Sequence, residues 1–304
     1  MKQISIFLML LAAMAFTSCS EDDLDPESIF KDETIELNEF DVWLMNNFNI
    51  PYNIEVKYKY NDKETDQSYN VVPAKQVNCQ ALAMLLKHVW VESYVEIAGN
   101  DFLKLYAPRV FQFIGSYIYD GQGKVILGTA EGGLKIMLYG VNGLDLENPR
   151  VNVDNPYESH SAMPVDLNYW YFHTMHHEFC HILTQTKNYP TDFRTISSGK
   201  YHSADWINVK DIDSAKEGFV TGYASGEYNE DFAETFACYV TNSEEGWQKI
   251  IDNAGEEGAD IINQKLTIVK NYFRDSWNID INKLRDIMIR RSAEAEKMDL
   301  YTLK

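Results

Sequence analysis

The first half of the chain alternates short apolar segments with polar turns, a pattern that predicts strands among helices. Residues 52–60 place apolar and polar side chains alternately, which is typical of a strand with one buried face. Apolar residues recur at helical spacing over residues 80–97, and a helix is also predicted for residues 37–47. Turn residues separate three further predicted strands, which are residues 111–119, 124–127 and 134–139. We therefore expect a small mixed α/β lobe in the N-terminal half.

After Pro164 the periodicity becomes mostly helical. Helices are predicted for four segments, which are residues 166–187, 229–241, 261–275 and 281–297. Residues 188–227, between the first two, are polar and irregular, and loops of this length usually carry function. No Gly/Ser-rich or Pro-rich linker follows residue 34, so residues 34–304 are predicted to form one α+β domain with a mostly helical C-terminal lobe. Any chemistry should lie where the two lobes meet.

The N-terminus is predicted to be a targeting segment rather than part of the folded domain. Lys2 precedes an apolar run, Ile4–Phe16, that is too short to span a bilayer but suits the core of a signal peptide. The run ends at Phe16-Thr17-Ser18-Cys19, which resembles a bacterial lipobox. This resemblance implies that residues 1–18 are a lipoprotein signal peptide and that Cys19 carries the lipid. An ordinary secretory signal with a chance cysteine is the alternative.

Residues 19–33 form an acidic segment that is predicted to be an extended tether, because its carboxylates repel one another and Pro26 opposes helix formation. The run after Cys19 resembles the acidic signal that sends Bacteroidetes lipoproteins to the outer cell surface. We therefore expect an outer-membrane protein that is lipid-anchored and exposed at the surface. A merely soluble linker is the alternative.

Composition excludes some classes of function. The chain has 27 basic and 46 acidic residues, a net charge of -19, and such a surface repels nucleic acid. Hydrophobic residues make up 45% of the chain, which is enough to build a core. Cys79, Cys180 and Cys238 form no C-x-x-C pair, so they are predicted to be small buried residues rather than a disulfide framework.

The most informative motif is His177-Glu178-Phe179-Cys180-His181, an H-E-x-x-H sequence on a predicted helix. His177 and His181 lie one turn apart on the same face, where both imidazoles can bind one Zn²⁺ ion. Glu178 points about 100° away around the axis, so it can accept a proton from a water that zinc activates. A core or solvent-exposed helix segment is the alternative when this motif stands alone.

A third metal ligand is needed, and the following helix supplies candidates. The metzincin extension is absent, because Thr184 replaces its glycine and Lys187 its third histidine. Glu230 and Glu234 lie one turn apart in the next predicted helix. We predict that Glu230 binds the metal and that Glu234 accepts an N–H from a ligand imidazole. The reverse assignment stays open, as does a solvated acidic face.

The remaining histidines are predicted to have lesser roles. His173 and His176 are expected to support the site or to lie in the core. His160 and His202 are interpreted as surface residues, with assistance to an oxyanion as the alternative. His88 is expected to be packed or exposed on its helix.

These motifs carry a family resemblance. The H-E-x-x-H sequence followed by Asn229-Glu230 and an acidic residue four positions on resembles the gluzincin metallopeptidases. Gly222-Tyr223, placed before that helix, is similar to the lethal-factor-like members. Together with the lipoprotein signal, the sequence resembles the zinc-binding metallopeptidases of Bacteroidetes, which are also called substrate import-associated zinc metallohydrolase lipoproteins.

The resemblance implies a zincin-like fold with an active-site cleft between the two lobes and a zinc cofactor. It further implies a peptide or glycoprotein substrate and association with an outer-membrane nutrient-import complex. By this resemblance the zinc ligands are His177, His181 and Glu230. It also implies that Glu178 is the general base, Tyr223 a phenolic donor and Glu234 a supporting acid. Two other functions remain open, a non-catalytic surface binding lipoprotein and a zinc hydrolase of a non-peptide amide or ester.

Overall fold

A computed structural model describes residues 36–304 apart from positions 66–67, 122, 124, 132–133 and 161–162. Residues Asn38–Lys304 form one compact unit. The predicted signal peptide, Cys19 and the acidic tether lie outside the described residues. Within the part of the chain that the structure describes, no helix is both long enough and apolar enough to cross a bilayer.

Seven long helical segments carry the framework of the described unit. They are α1 (residues 39–52, with a π-helical turn at Met45–Asn49), α2 (residues 76–98, π-helical at Lys87–Val91), α3 (Asn100–Tyr106), α4 (residues 168–186, π-helical at Asn168–His173), α5 (Tyr228–Thr241), α6 (Glu244–Trp277) and α7 (Ile281–Ala295). The predicted helices are confirmed within a few residues for α1, α2, α4, α5 and α7, because each has a buried apolar face.

Two helices differ from the sequence prediction. α6 begins well before the predicted residue 261, with the Ser243 hydroxyl accepting a hydrogen bond from the Gly246 N–H at its start. Gly255, with φ of 66°, breaks its helical geometry, which explains why the periodicity is clear only beyond that point. α3 was not predicted. The polar segment 188–227 is not entirely irregular, since it contains five short helices, Phe193–Ile196, Ser203–Asn208, Asp211–Ser214, Ala215–Glu217 and Tyr223–Ser225.

The sheet has four strands in the order β1 (Glu55–Lys57), β2 (Val110–Phe113), β6 (Lys135–Leu138) and β5 (Gly128–Glu131). β1, β2 and β6 run parallel, while β5 runs antiparallel to β6 and forms one edge. A second, two-stranded sheet pairs β3 (Ile118–Tyr119) with β4 (Val125–Ile126). The predicted α+β class, with a small mixed lobe and a helical C-terminal lobe, is confirmed.

The strand predictions were too long. The single strand predicted over residues 111–119 is wrong, because the chain leaves the main sheet after Phe113 and starts β3 only at Ile118. At Gly115 the backbone lies so close to the carbonyl of Pro73 that a side chain would collide with it. The strand predicted over residues 52–60 is limited to β1, and β5 was not predicted.

The core holds α4 and α5 against each other. Phe179 of α4 contacts Trp90 of α2 with ring centroids 5.1 Å apart, and Phe236 of α5 stacks on Phe273 of α6 at 4.0 Å. Phe232 and Phe236 are fully buried. These contacts fix the orientation of both helices, and His177 of α4 faces Glu230 and Glu234 of α5.

Candidate metal centre

His177 and His181 of α4 point towards the same position. Their ring centroids are 4.7 Å apart and their Nε2 atoms are 3.0 Å apart. Helical geometry explains this arrangement, because residues four apart lie above one another on one face. His177 is buried and His181 is partly buried, so the pair lies at the edge of the core.

Glu230, in the first turn of α5, completes a three-residue group with these histidines. Its Oε2 atom is 3.0 Å from Nε2 of His177 and 3.2 Å from Nε2 of His181. Burial by itself would raise the pKa of Glu230, but the imidazoles of His177 and His181 outweigh burial and lower this pKa well below its usual range. The three donor atoms therefore surround one point between the helices.

The donor set fits a zinc ion. Ligands bound tetrahedrally at about 2.0–2.1 Å lie roughly 3.3 Å from one another. The three atoms here are separated by 3.0 to 3.2 Å, so only slight spreading would be needed. Imidazole nitrogen and carboxylate oxygen are also donor types that zinc accepts.

Glu234 lies one turn beyond Glu230 and is buried. Its Oε1 atom accepts hydrogen bonds from Nδ1 of His177 at 2.7 Å and from Nε2 of His173 at 2.8 Å, while Oε2 accepts one from the Thr221 hydroxyl at 2.6 Å. Burial opposes ionisation, but His173 and His177 outweigh it and hold the pKa of Glu234 well below its usual range. The carboxylate at Nδ1 holds one proton of His177 there, so Nε2 is the nitrogen that can bind a metal.

Glu178 and Tyr223 border the same position. Glu178 is partly buried beside His177, and burial raises its pKa while the charges of His177 and His181 oppose the rise. The Tyr223 ring lies 5.6 Å from the His177 ring, and its hydroxyl interacts with Glu230. Partial burial and the neighbouring carboxylates raise the pKa of Tyr223, so it is a proton donor rather than a phenolate.

A cavity of about 540 Å³ opens onto His177, Glu178 and Tyr223. The cavity is also lined by the segment Val125–Gly128 at β4 and β5 of the mixed lobe. β5 packs closely against α4, because Gly128 leaves room for Thr174 where any side chain would collide. The cleft expected between the two lobes is confirmed.

His160 differs from its prediction as a surface residue. Its imidazole stacks on Tyr169 with ring centroids 3.9 Å apart, and its Nδ1 atom is 3.0 Å from Oδ2 of the buried Asp166. It faces the cavity, and its side chain is only 19% exposed. No motif marked this position, because its partners Asp166 and Tyr169 come later in the chain and contact it only in the folded structure.

The other predicted histidines lie as expected. His173 supports the site through Glu234, and His176 is a fully buried core residue bonded to the Tyr94 hydroxyl at 2.9 Å. His202 is partly exposed and contacts Glu217 at 2.7 Å. His88 is packed between two carboxylates on the protein surface.

The cysteine predictions are confirmed for burial, since Cys79, Cys180 and Cys238 are buried and unbonded to one another. Sequence reasoning missed Thr221, which holds Glu234, and Trp206, which lies 4.7 Å from the Tyr223 ring. Both belong to the polar segment that was predicted to be functional. Thr221 could have been found from its position two residues before Tyr223. Nothing in the sequence pointed to Trp206.

Two imidazoles of an H-E-x-x-H helix, a carboxylate from the next helix and a cavity beside them define a site of the metallohydrolase class. A family model described as "Putative zinc-binding metallo-peptidase" matches residues 33–282, and the chain belongs to this family. The crystal structure of a "putative zinc-binding metallo-peptidase" from Bacteroides caccae is 42% identical, with a TM-score of 0.73 over 91% of this chain and 100% of that one. No curated protein matches the chain. The predicted family is thereby confirmed, and its description agrees with the predicted zinc cofactor.

Proposed function

We propose that this protein is a zinc-dependent peptidase that acts at the cell surface. The observation that carries the proposal is the Nδ1 hydrogen bond from His177 to Glu234, which directs Nε2 of His177 towards His181 and Glu230. A site that holds two imidazoles and a carboxylate in this state is built for a divalent metal. Glu178 supplies a general base, and the cavity beside it has room for a substrate.

Each residue of the site has its own role in hydrolysis. His177, His181 and Glu230 would hold Zn²⁺, which supplies Lewis acidity and lowers the pKa of a bound water towards about 7. Glu178 accepts the proton of the attacking water and returns it to the leaving amine. The Tyr223 hydroxyl donates a hydrogen bond to the oxygen on which negative charge develops. Glu234 keeps His177 in its binding tautomer throughout.

A peptide is the substrate that best suits this cavity. β5 is an edge strand that pairs only with β6 among the described strands, and Gly128 at its start lines the cavity. An extended peptide can pair with the backbone of an exposed edge strand. Such pairing would place a scissile bond in the cavity that Glu178 also lines.

The proposed location rests on residues 1–33. The signal-like run, Cys19 and the acidic segment after it support a lipid anchor at the outer membrane with the catalytic domain facing outward. We include in the proposal association with a nutrient-import complex, for which the enzyme would shorten peptides or the protein part of glycoproteins. Cys19→Ala should move the protein from the membrane fraction to the soluble fraction. Retention of the variant at the membrane would contradict the anchor.

Metal content and cleavage specificity test the activity. The purified protein should contain zinc, and digestion of a proteome-derived peptide library should yield defined cleavage sites. Glu178→Gln should keep the zinc and lose the cleavage, while Glu257→Gln, an exposed residue on α6, should change neither. Persistent cleavage in Glu178→Gln would contradict the mechanism. Zinc binding without peptide cleavage would favour a non-peptide amide or ester, and absence of zinc would favour a binding lipoprotein.

A further inference from the structure

The α4–α5 helix pair carries a second group of metal-binding side chains. A ring nitrogen of His173, a carboxylate oxygen of Glu234 and Sγ of Cys238 lie within 4.8 Å of one another. All three residues line the cavity, so a cation can reach them from solvent. None of the three is a predicted ligand of the first site.

The two groups follow from the same helical register. In the first site α4 supplies two donors, His177 and His181, and α5 supplies one. The second group lies towards the N-terminus of α4 and towards the C-terminus of α5. Here α4 supplies one donor, His173, and α5 supplies two, Glu234 and Cys238. Residues four apart on each helix share a face, so the interface that aligns one group also aligns the other.

We propose that His173, Glu234 and Cys238 form a second metal site for a divalent cation that accepts sulfur, such as Zn²⁺ or Cd²⁺. Imidazole and thiolate donors favour such ions over Mg²⁺ and Ca²⁺, which prefer oxygen. The carboxylates of Glu234 and Asp211 face the same cavity and give it a negative charge that attracts a cation.

Binding requires two protons to move. The Cys238 thiol releases its proton to solvent as the sulfur–metal bond forms. Nε2 of His173 contacts Glu234 at 2.8 Å. For Nε2 to bind the metal, the ring proton of His173 must be on Nδ1 instead. Because an existing hydrogen bond is lost in this exchange, the second site should bind more weakly than the first.

Sulfur makes the second site distinguishable from the first. The first group contains only nitrogen and oxygen donors, so a thiolate-to-Cd²⁺ charge-transfer band in the ultraviolet can arise only where a cysteine binds the metal. Titration of the purified protein with Cd²⁺ should produce this band. Glu230→Ala, which damages only the first site, should keep it, so the result does not depend on the proposed peptidase activity.

Matched cysteine variants complete the test. Cys238→Ala should abolish the band, whereas Cys180→Ala, which changes another buried cysteine at the same helix pair, should leave it unchanged. His173→Gln should weaken Cd²⁺ binding and provides a second variant if Cys238→Ala does not fold. Absence of the band in the unmodified protein would overturn the proposal. So would its survival in Cys238→Ala, or unchanged Cd²⁺ affinity in His173→Gln.

Discussion

Oε1 of Glu234 accepts the Nδ1 proton of His177 at 2.7 Å, and it does so from within the core. This contact joins the two helices that form the metal centre, since His177 belongs to α4 and Glu234 to α5. It fixes both the direction of the imidazole and the tautomer that exposes Nε2. The same carboxylate also binds His173 and Thr221, so it is itself held in one orientation.

Glu234→Gln should therefore weaken metal binding without abolishing it. Loss of a hydrogen-bond partner behind a ligand imidazole typically lowers metal affinity by about 10–100-fold. Competition with a chromophoric chelator would measure the zinc affinity, with Glu257→Gln as the control on an exposed acid. An affinity equal to that of the unmodified protein would refute this role for Glu234.

The two glutamates of α5 should differ when each is truncated. Glu230→Ala removes a direct donor and is expected to lose the zinc of the first site, whereas Glu234→Ala should retain part of it. Elemental analysis of the zinc content of both variants, prepared identically, decides which glutamate is the ligand. If Glu234→Ala alone loses zinc, the ligand and the supporting residue have been assigned the wrong way round.

Tyr223→Phe should lower kcat for peptide cleavage by about 100-fold, because removal of one donor to a developing oxyanion typically costs that much. KM and zinc content should change little, since the hydroxyl is not a metal ligand in the predicted set. Steady-state kinetics measures the effect, and Tyr301→Phe, at a position 53% exposed, serves as the control. A rise in KM with constant kcat would instead assign Tyr223 to substrate binding.

Stability should depend on a buried ion pair beside the metal centre. Lys265 of α6 lies 2.7 Å from Asp231 of α5, and both side chains are almost completely buried. Lys265→Met leaves the carboxylate without its cation and should lower the free energy of unfolding by about 3–5 kcal/mol. Lys200→Met, which removes an exposed pair, should cost less than about 1 kcal/mol. Equal losses in denaturant unfolding would contradict this account.

His176 should make the folded protein sensitive to mild acid. Burial, together with the charge of His173, lowers the pKa of His176 to about 3, against an ordinary value of 6.5. Between these values the unfolded chain binds the proton and the folded protein does not, so stability present above pH 6.5 is lost as the pH falls.

The size of this effect can be isolated with a variant that does not titrate. From pH 7 to pH 5, metal-free unmodified protein should lose about 2 kcal/mol more unfolding free energy than His176→Gln. Denaturant unfolding at the two pH values measures the difference. Parallel losses in the two proteins would show that His176 does not contribute.

Sequence periodicity predicted the helices of the centre well because each has one apolar face. Phe232 and Phe236 lie on one side of α5, and Glu230 and Glu234 lie on another side of the helix, where Glu234 is also buried. Periodicity failed where local geometry departs from a regular element. Gly255 interrupts α6, and the turn at Gly115 divides what was predicted as one strand.

By itself, the sequence determined which residues share a helical face, because four-residue spacing fixes His177 with His181 and Glu230 with Glu234. Only the tertiary structure decided how far one pair lies from the other. The distance between Glu230 and the imidazoles depends on the packing of α4 against α5, which spacing within either helix does not specify. The same packing brought His173 to Glu234 and Cys238, contacts between residues some sixty positions apart that no local pattern encodes.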